Sequence, residues 1–336
     1  MFVTGHTGFK GSWLCEWLLN LGADVWGYSL PPPTSPSLFA QLGLSRRVHH
    51  TVGDVRNIKT LSRALNAARP HFVFHLAAQP IVLEAHANPG ETWSTNVMGT
   101  VNLLEGLRGL RSPCATVVVT TDKVYGPEPK SHREEHALGA SEPYGASKAA
   151  VELAVQAWRE AFGMDQVATA RAGNVIGGGD WAPHRLVPDC ARALLQGKTI
   201  SVRNPSAVRP WQHVLDPLHG YLLLASYLAS APSEVSARAF NFGPSARDHR
   251  TVRELVREIL SQWPGKWSKG GKPGSPRESA VLRLDATLAR RVLKWKPTWH
   301  FEESVARTVE WYRSAVDPRS IRGITHGQIA AFSADL

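Results

Sequence analysis

Cysteine is scarce in this chain: Cys15, Cys114 and Cys190 are the only three in 336 residues. They are scattered and form no Cys-x-x-Cys pair. That argues against a disulfide framework and against zinc, so no metal site and a reducing, cytoplasmic setting are expected. Long apolar runs are missing too. None reaches the ~20 residues that would span a bilayer, so no membrane partner is expected. Met1 leads straight into a short apolar strand and a glycine-rich turn, and no signal peptide is read there. The chain carries a net charge of +10, yet it has no basic blocks with interleaved aromatics. Nucleic acid is therefore not the expected partner; an anionic small substrate accounts for the charge more simply. Internal repeats and low-complexity tracts are absent as well. A hydrophobic content of 43% over this length is that of an ordinary globular chain, with room for one large α/β domain or two lobes.

What is present begins with Pro143-Tyr144-Gly145-Ala146-Ser147-Lys148. The residues after it, 149–162, place apolar side chains at helical spacing: Val151, Leu153, Ala154, Ala157, Trp158 and Ala161. On that helix Tyr144 and Lys148, four apart, project side by side. The Lys148 ammonium is expected to stabilise a Tyr144 phenolate, giving a base near neutral pH. A surface tyrosine beside a surface lysine is the plainer reading, and what lies upstream decides against it.

Phe2-Val3-Thr4 reads as a short strand, short because the chain begins inside it. Gly5-His6-Thr7-Gly8-Phe9-Lys10-Gly11 follows, then a helix over 12–21 with Trp13, Leu14, Trp17, Leu18 and Leu21 on one side, stopped by Gly22. Strand, glycine turn and helix is the setting of a dinucleotide site. Gly5, Thr7, Gly8, Phe9, Lys10 and Gly11 would let the backbone approach a pyrophosphate at a helix N-terminus. Residues 23–28 read as a second strand, and at its end, near Ser29, no acid stands ready for a ribose. NAD is the expected cofactor, with the choice against NADP left open. Asp54, followed by Val55 and Arg56, can accept from an adenine amine or cap a helix over 57–68. Residues 72–76 form a strongly apolar strand ending at Leu76, and Ala77, Ala78 and Gln79 after it would let a cofactor lie close. A helix over 96–107 and a strand over 116–120 come next. Thr121, Asp122 and Lys123 close that strand and should face the same crevice as Tyr144 and Lys148, because ligands sit at the carboxyl ends of parallel strands. Asp122 as a turn cap beside a solvated Lys123 is the competing reading. Apolar strands alternating with helices imply a parallel sheet covered on both faces.

Gly5-x-x-Gly8-x-x-Gly11, Asp54-Val55-Arg56, Thr121 and Tyr144-x-x-x-Lys148 together resemble the extended short-chain dehydrogenase/reductase family over essentially the whole chain. Three longer strings resemble the CDP-glucose 4,6-dehydratases within it: residues 5–11, residues 172–181 from Ala172 to Trp181, and Arg209-Pro210-Trp211-Gln212-His213-Val214. The resemblance implies oxidation at sugar C4, loss of water across C5 and C6, and return of the hydride to C6. It makes Tyr144 the base at the C4 hydroxyl, Lys148 its partner and a holder of the nicotinamide ribose, Thr121 the orienting hydroxyl, Asp122 the acid at O6 and Lys123 the base at C5. The acid role requires a raised Asp122 pKa, against the pull of its cationic neighbour.

Downstream, a core strand is expected over 167–171, and Asn174 beyond it is placed to hydrogen-bond a phosphate. Arg185, Arg203 and Arg209 are candidates for the diphosphate, Arg209 first because it lies inside a specific string, as does His213. Asp216 precedes a helix over 217–230 as a cap or a ligand. Residues 263–277 lack periodicity and read as a loop, and at Arg277-Glu278 the sequence departs from the His-Glu pair of the family. A closing helix covers 301–314. The expected fold is a Rossmann-type doubly wound parallel sheet with a smaller α/β C-terminal substrate lobe: residues 1–172 for the dinucleotide, with later returns near 210–242 and the chain rejoining the sheet near 239–242, and 173–336 mostly for a nucleotide-diphosphate sugar. Family analogy pairs the helices over 96–107 and 149–162 with their copies in a homodimer. The alternatives are a nucleotide-sugar 4-epimerase, which has no use for Asp122 and Lys123 as an acid–base pair, and a non-catalytic cofactor sensor, which would typically lack the intact tyrosine and lysine.

Overall fold

The computed structural model describes residues 1–126, 131–230, 239–270 and 283–336. Seven parallel strands form one sheet: β1 Phe2–Thr4, β2 Trp26–Ser29, β3 His49–Val52, β4 Phe72–His75, β5 Ala115–Val119, β6 Val167–Ala172 and β7 Ala239–Phe242. Their order is β3-β2-β1-β4-β5-β6-β7, which reverses at β1. That is the doubly wound Rossmann arrangement, and the reversal opens a crevice at the strands' carboxyl ends. β5 and β6 are buried at every residue, as strands covered on both faces must be. The charged exception in β6 is Arg171, whose guanidinium meets Glu152 at 2.8 Å with both side chains buried.

The first helix is Phe9–Asn20, so it starts inside the glycine turn rather than after it. Trp13, Leu14, Trp17 and Leu18 are buried as expected, whereas Leu21 caps the helix and is exposed. The helix expected over 96–107 is one part of a longer helical run. Helices Val82–Ala87 and Pro89–Trp93 lead into a π turn, Ser94–Met98, and then helix Gly99–Arg108. The wide turn aims Asn96 inward, where its amide donates to Ser147 Oγ at 2.9 Å and to the Gln79 carbonyl at 3.1 Å.

Helix Pro143–Phe162 carries the Tyr-Lys pair. Pro143 sits in its first turn, and the Glu142 carboxylate caps it by accepting from the N–H groups of Tyr144 at 2.8 Å and Gly145 at 2.7 Å. Gly145 allows this turn to press on the single turn that follows β5, Asp122–Val124, since a Cβ there would stand 2.6 Å from the Lys123 carbonyl oxygen.

Several expectations beyond the sheet need correction. Asp216 is the second residue of helix Leu215–Ser230, not its cap, and it does not line the crevice at the strands' carboxyl ends. It is buried and accepts from the Thr298 N–H at 2.6 Å, tying that helix to the segment before Phe301–Ser314. The segment read as a loop contains a strand, Trp267–Lys269, parallel to Ile200–Val202. Arg277 and Glu278 lie outside the described residues. Helix Phe301–Ser314 has the expected bounds, but a further helix, Ile321–Ala334, closes the chain.

Candidate active site

One cleft of about 1230 Å³ runs along the carboxyl ends of the strands, larger than a site for one small ligand. Its walls gather residues that are far apart in sequence: the glycine turn, the ends of β2 to β6, the first turn of Pro143–Phe162 and residues 172–189.

The dinucleotide side is built from the turn. Gly5 adopts φ +72° and a Cβ on it would stand 2.6 Å from the Ala77 nitrogen, so only glycine fits where β1 and β4 diverge. The turn and the helix N-terminus beyond it form a cradle suited to a pyrophosphate. Thr7, Gly8, Phe9, Lys10, Gly11, Val55, Leu76, Ala77 and Ala78 all line the cleft. At the end of β2 the Ser29 hydroxyl meets Thr7 Oγ1 at 2.8 Å, and Thr7 donates to the Leu30 carbonyl. Asp54 reaches the cleft but does not cap the next helix; Asn57 does that for Ile58–Ala68. Arg56 clamps Asp54, donating through Nε at 2.9–3.0 Å, and holds its carboxyl below the usual range. Gln79 is a correction: it does not line the cleft, because its side chain bonds to Ile81 and Thr92 and so shapes the loop behind the wall.

The chemical centre lies where β5 ends. Thr121 caps a single turn, Asp122–Val124, that aims Asp122 and Lys123 into the cleft opposite Tyr144. Asp122 is buried, and burial raises its pKa against the lowering pull of Lys123, Thr121, Arg209 and Lys10. Its Oδ1 accepts from Thr121 Oγ1 at 3.0 Å, while Oδ2 is buried with no protein partner. A carboxyl inclined to stay neutral, with one oxygen uncommitted, suits a proton donor.

Tyr144 departs from expectation in one respect. Burial pushes its phenol up to about 12, and the groups that pull it back are the Thr121 hydroxyl, by a hydrogen bond, and the Arg185 guanidinium. Lys148 is buried, donates to the Val119 carbonyl at 3.0 Å and is held down to about 8 by burial. Arg185 is thus a contributor that spacing along the helix did not reveal. It is held by Asp180 at 2.9 Å, and the residue before it, His184, sits at φ +66° to bring it round. Lys10 is the second surprise. Its ammonium lies 3.4 Å from the Tyr221 hydroxyl, close enough to Asp122, Lys148 and Arg185 to feel their charges, and burial brings it down to about 7.

Among the substrate candidates, Asn174, Arg185, Arg203 and Arg209 all line the cleft. Arg203 donates to the His184 carbonyl at 3.1 Å, and Arg209 is buried beside Asp122. His213 does not belong with them. It is fully buried between Trp13 and Trp299, with ring centroids 5.9 and 4.8 Å away, and burial drives its pKa down to about 3. Its place in a specific string reflects packing under the cleft. Cys15, Cys114 and Cys190 are free and buried, and among the described residues no helix is long and apolar enough to cross a membrane.

Comparison with known proteins agrees with this geometry. Residues 2–308 match the family model described as GDP-mannose 4,6 dehydratase. The chain is 41% identical over 326 residues to the CDP-glucose 4,6-dehydratase of Salmonella typhimurium, covering 94% of this chain and 90% of that one. It is 27% identical to dTDP-glucose 4,6-dehydratase 1 of Escherichia coli, covering 94% and 92%. Among solved structures, dTDP-glucose 4,6-dehydratase from Bacillus anthracis in complex with NAD superposes with a TM-score of 0.77 at 22% identity, covering 93% of this chain and 96% of that one. A UDP-glucose-4-epimerase from Stenotrophomonas maltophila with bound NAD gives 0.81 at 23%, covering 94% and 98%. At those identities the structural likenesses speak for the fold alone, while the matched family model and the sequence relative speak for more: the chain belongs to the GDP-mannose 4,6 dehydratase family.

Proposed function

We propose that this chain is a nucleotide-sugar 4,6-dehydratase, a hydro-lyase that converts CDP-glucose to CDP-4-keto-6-deoxyglucose with bound NAD. The observation that carries the reading is Asp122: a buried carboxyl with one free oxygen in the same cleft as Tyr144, beside Lys123. The dinucleotide, when bound, supplies the acceptance and return of one hydride and, in its oxidised form, a positive charge. All protons are moved by the chain's own groups. Tyr144 takes the proton of the C4 hydroxyl, which Thr121 orients. Lys148, anchored on the end of β5, would hold the nicotinamide ribose, while Thr121 and Arg185 draw the phenol's pKa down. The 4-ketone acidifies the C5 hydrogen; Lys123 removes it, and Asp122 protonates the departing O6. Lys123 later returns its proton to C5. Asn174, Arg185, Arg203 and Arg209 face the diphosphate, with planar guanidinium forks suited to it. Asp54, on the cleft wall, would hold the adenine amine. An epimerase shares the fold and Tyr144, Lys148 and Thr121, but it needs neither an acid at O6 nor a base at C5.

In this reading residues 1–172 hold the dinucleotide and 173–336 mostly the sugar nucleotide, with β7 returning to the sheet. The protein works in the cytoplasm as a homodimer. Purified enzyme is incubated with a panel of nucleotide hexoses and products are weighed. CDP-glucose should lose one water without net accumulation of reduced cofactor; a product of unchanged mass inverted at C4 would favour the epimerase. Asp122→Asn and Lys123→Met should reduce the bound cofactor yet stall before water is lost, and Lys123→Met should cease to exchange solvent deuterium into C5. Tyr144→Phe should bind CDP-glucose and lower turnover ~10²–10⁴-fold.

A further inference from the structure

The end of β2 holds two hydroxyls whose hydrogens can be placed. Thr7 Oγ1 lies 2.9 Å from the Leu30 carbonyl oxygen. A carbonyl only accepts, so the one hydrogen of Thr7 is committed to it. The Ser29 hydroxyl meets Thr7 Oγ1 at 2.8 Å. Thr7 has no second hydrogen to give, so Ser29 is the donor. The chain of bonds runs from Ser29 to Thr7 to Leu30. Ser29 is left with nothing to donate, and it offers only lone pairs to the cleft that both residues line. Both are buried, which shields the pair from exchange with water.

The charges around this corner are as informative as the hydroxyls. Among the described residues that line the cleft here, none from 29 to 38 is charged. Arg47 is engaged with Glu16, and Arg56 with Asp54 and Glu91; neither lines the cleft. Lys10 does line it, but its ammonium lies 3.4 Å from the Tyr221 hydroxyl and feels Asp122, Lys148 and Arg185 at the chemical centre. The charge that β3 brings to the corner is negative. Asp54 follows Gly53, whose N–H donates to the Ser29 carbonyl at 2.9 Å.

We propose that Ser29, with its hydrogen locked by Thr7, selects NAD over NADP at the adenosine ribose; the proposal rests on the dinucleotide reading of the cleft and not on the fate of the sugar. The end of the second strand is where such a site meets that ribose. An acid there accepts from the 2′-hydroxyl of NAD, and an arginine accommodates the 2′-phosphate of NADP. This chain has neither at that place. A serine that can only accept does the acid's part without a charge, taking the hydrogen of the 2′-hydroxyl. A 2′-phosphate is a set of anionic acceptors. NADP would set those oxygens against the lone pairs of Ser29, with the Asp54 carboxylate on the next strand and no cation to offset either. A serine without its lock could rotate and donate to the phosphate, so the selection resides in the pair. Thr7 acts through Ser29 as a positioning residue.

The test measures Kd for NADH and for NADPH by fluorescence titration, without sugar nucleotide, in wild type, Thr7→Ser, Thr7→Val and Ser29→Ala. Wild type should bind NADH at least roughly 10-fold more tightly than NADPH, and Thr7→Ser, which keeps the hydroxyl, should retain that ratio. Thr7→Val frees the hydrogen of Ser29. The ratio should then shrink by roughly 5-fold, the worth of one neutral hydrogen bond, whatever the change does to the affinity that both cofactors share. Ser29→Ala should lose roughly 5-fold in NADH affinity and little in NADPH affinity, and it carries the test alone should Thr7→Val not fold. A ratio unchanged in both variants would mean that the phosphate is excluded by room alone and would overturn the proposal. So would a wild type that binds the two cofactors alike. A wild type that binds neither would remove the dinucleotide reading and the proposal with it. A wild type that shows the expected ratios yet never dehydrates CDP-glucose would support the selection and remove only the dehydratase reading.

Discussion

Lys148 donates to the Val119 carbonyl at 3.0 Å, which anchors the lysine of the Tyr-Lys pair to the last residue of β5. The bond joins helix Pro143–Phe162 to the strand end that carries Thr121, Asp122 and Lys123. It also leaves the ammonium buried, and burial outweighs the help of Glu152, so its pKa falls to about 8. The cation is then present below pH 8 and lost above it. The ratio kcat/KM, which reports the free enzyme, should fall on the alkaline side with an apparent pKa near that value. Lys148→Arg, always charged, should lower the plateau and abolish this limb. A limb that stays put in the variant would assign it to another group.

Lys10 allows a stability prediction of definite sign. Its ammonium is brought down to about 7 from an ordinary 10.5, mainly by burial. Between those values the unfolded chain binds the proton and the folded chain does not. Stability is therefore reduced at neutral pH and recovers as pH rises through the window. Lys10→Met should raise the Tm at pH 7, with the gain shrinking towards pH 10, while weakening cofactor binding measured by calorimetry. An equal gain at both pH values would mean that packing, and not the proton, is responsible.

How far the sequence reached can be judged residue by residue. β7 at Ala239–Phe242 and helix Phe301–Ser314 were legible because each has an apolar pattern uninterrupted by glycine or proline. The site was legible where chemistry and topology coincide: Thr121, Asp122 and Lys123 had to face the cleft once Ala115–Val119 was a parallel strand. It failed where a polar residue has a packing role. His213 and Asp216 look like ligands by type and are buried supports, since nothing local distinguishes a carboxylate that accepts from Thr298, 82 residues away, from one facing a substrate. Arg185 as a neighbour of Tyr144 was invisible for the same reason: the contact exists only after the loop through His184 has turned.

The closing helix, for which no expectation was formed, gives a third prediction. Glu16, fully buried on helix Phe9–Asn20, receives Arg47 through two bonds of 2.6 and 2.8 Å and also meets His326 of Ile321–Ala334. It links the first helix to the last. Glu16→Gln would leave Arg47 without its carboxylate, at a cost of about 1–3 kcal/mol, less than a fully buried pair because Arg47 is 21% exposed. Urea unfolding should show a lower midpoint, with detachment of the C-terminal helix visible as faster proteolysis near residue 326. A midpoint within a few tenths of a molar of wild type would leave the link without energetic weight.

The assembly gives the last prediction. Helix Pro143–Phe162 buries Val151 and Val155 against the sheet but leaves Leu153 57% exposed. The run of turns packed against that helix leaves Trp93 at 42% and Met98 at 50%. Large apolar side chains scattered singly on a surface need no explanation, but these belong to elements that pack on one another around the active-site helix. A second copy of the chain presenting the same elements would bury them about a two-fold axis, the self-complementary contact that closed dimers use. Leu153→Glu places a charge at that contact while leaving the face that carries Tyr144 and Lys148 untouched. Wild type should show the mass of a dimer by light scattering at micromolar concentration, and the variant should shift towards a monomer with a circular dichroism spectrum unchanged. If wild type is itself monomeric at that concentration, the proposed dimer fails; if Leu153→Glu remains dimeric, the interface lies on another face of the molecule.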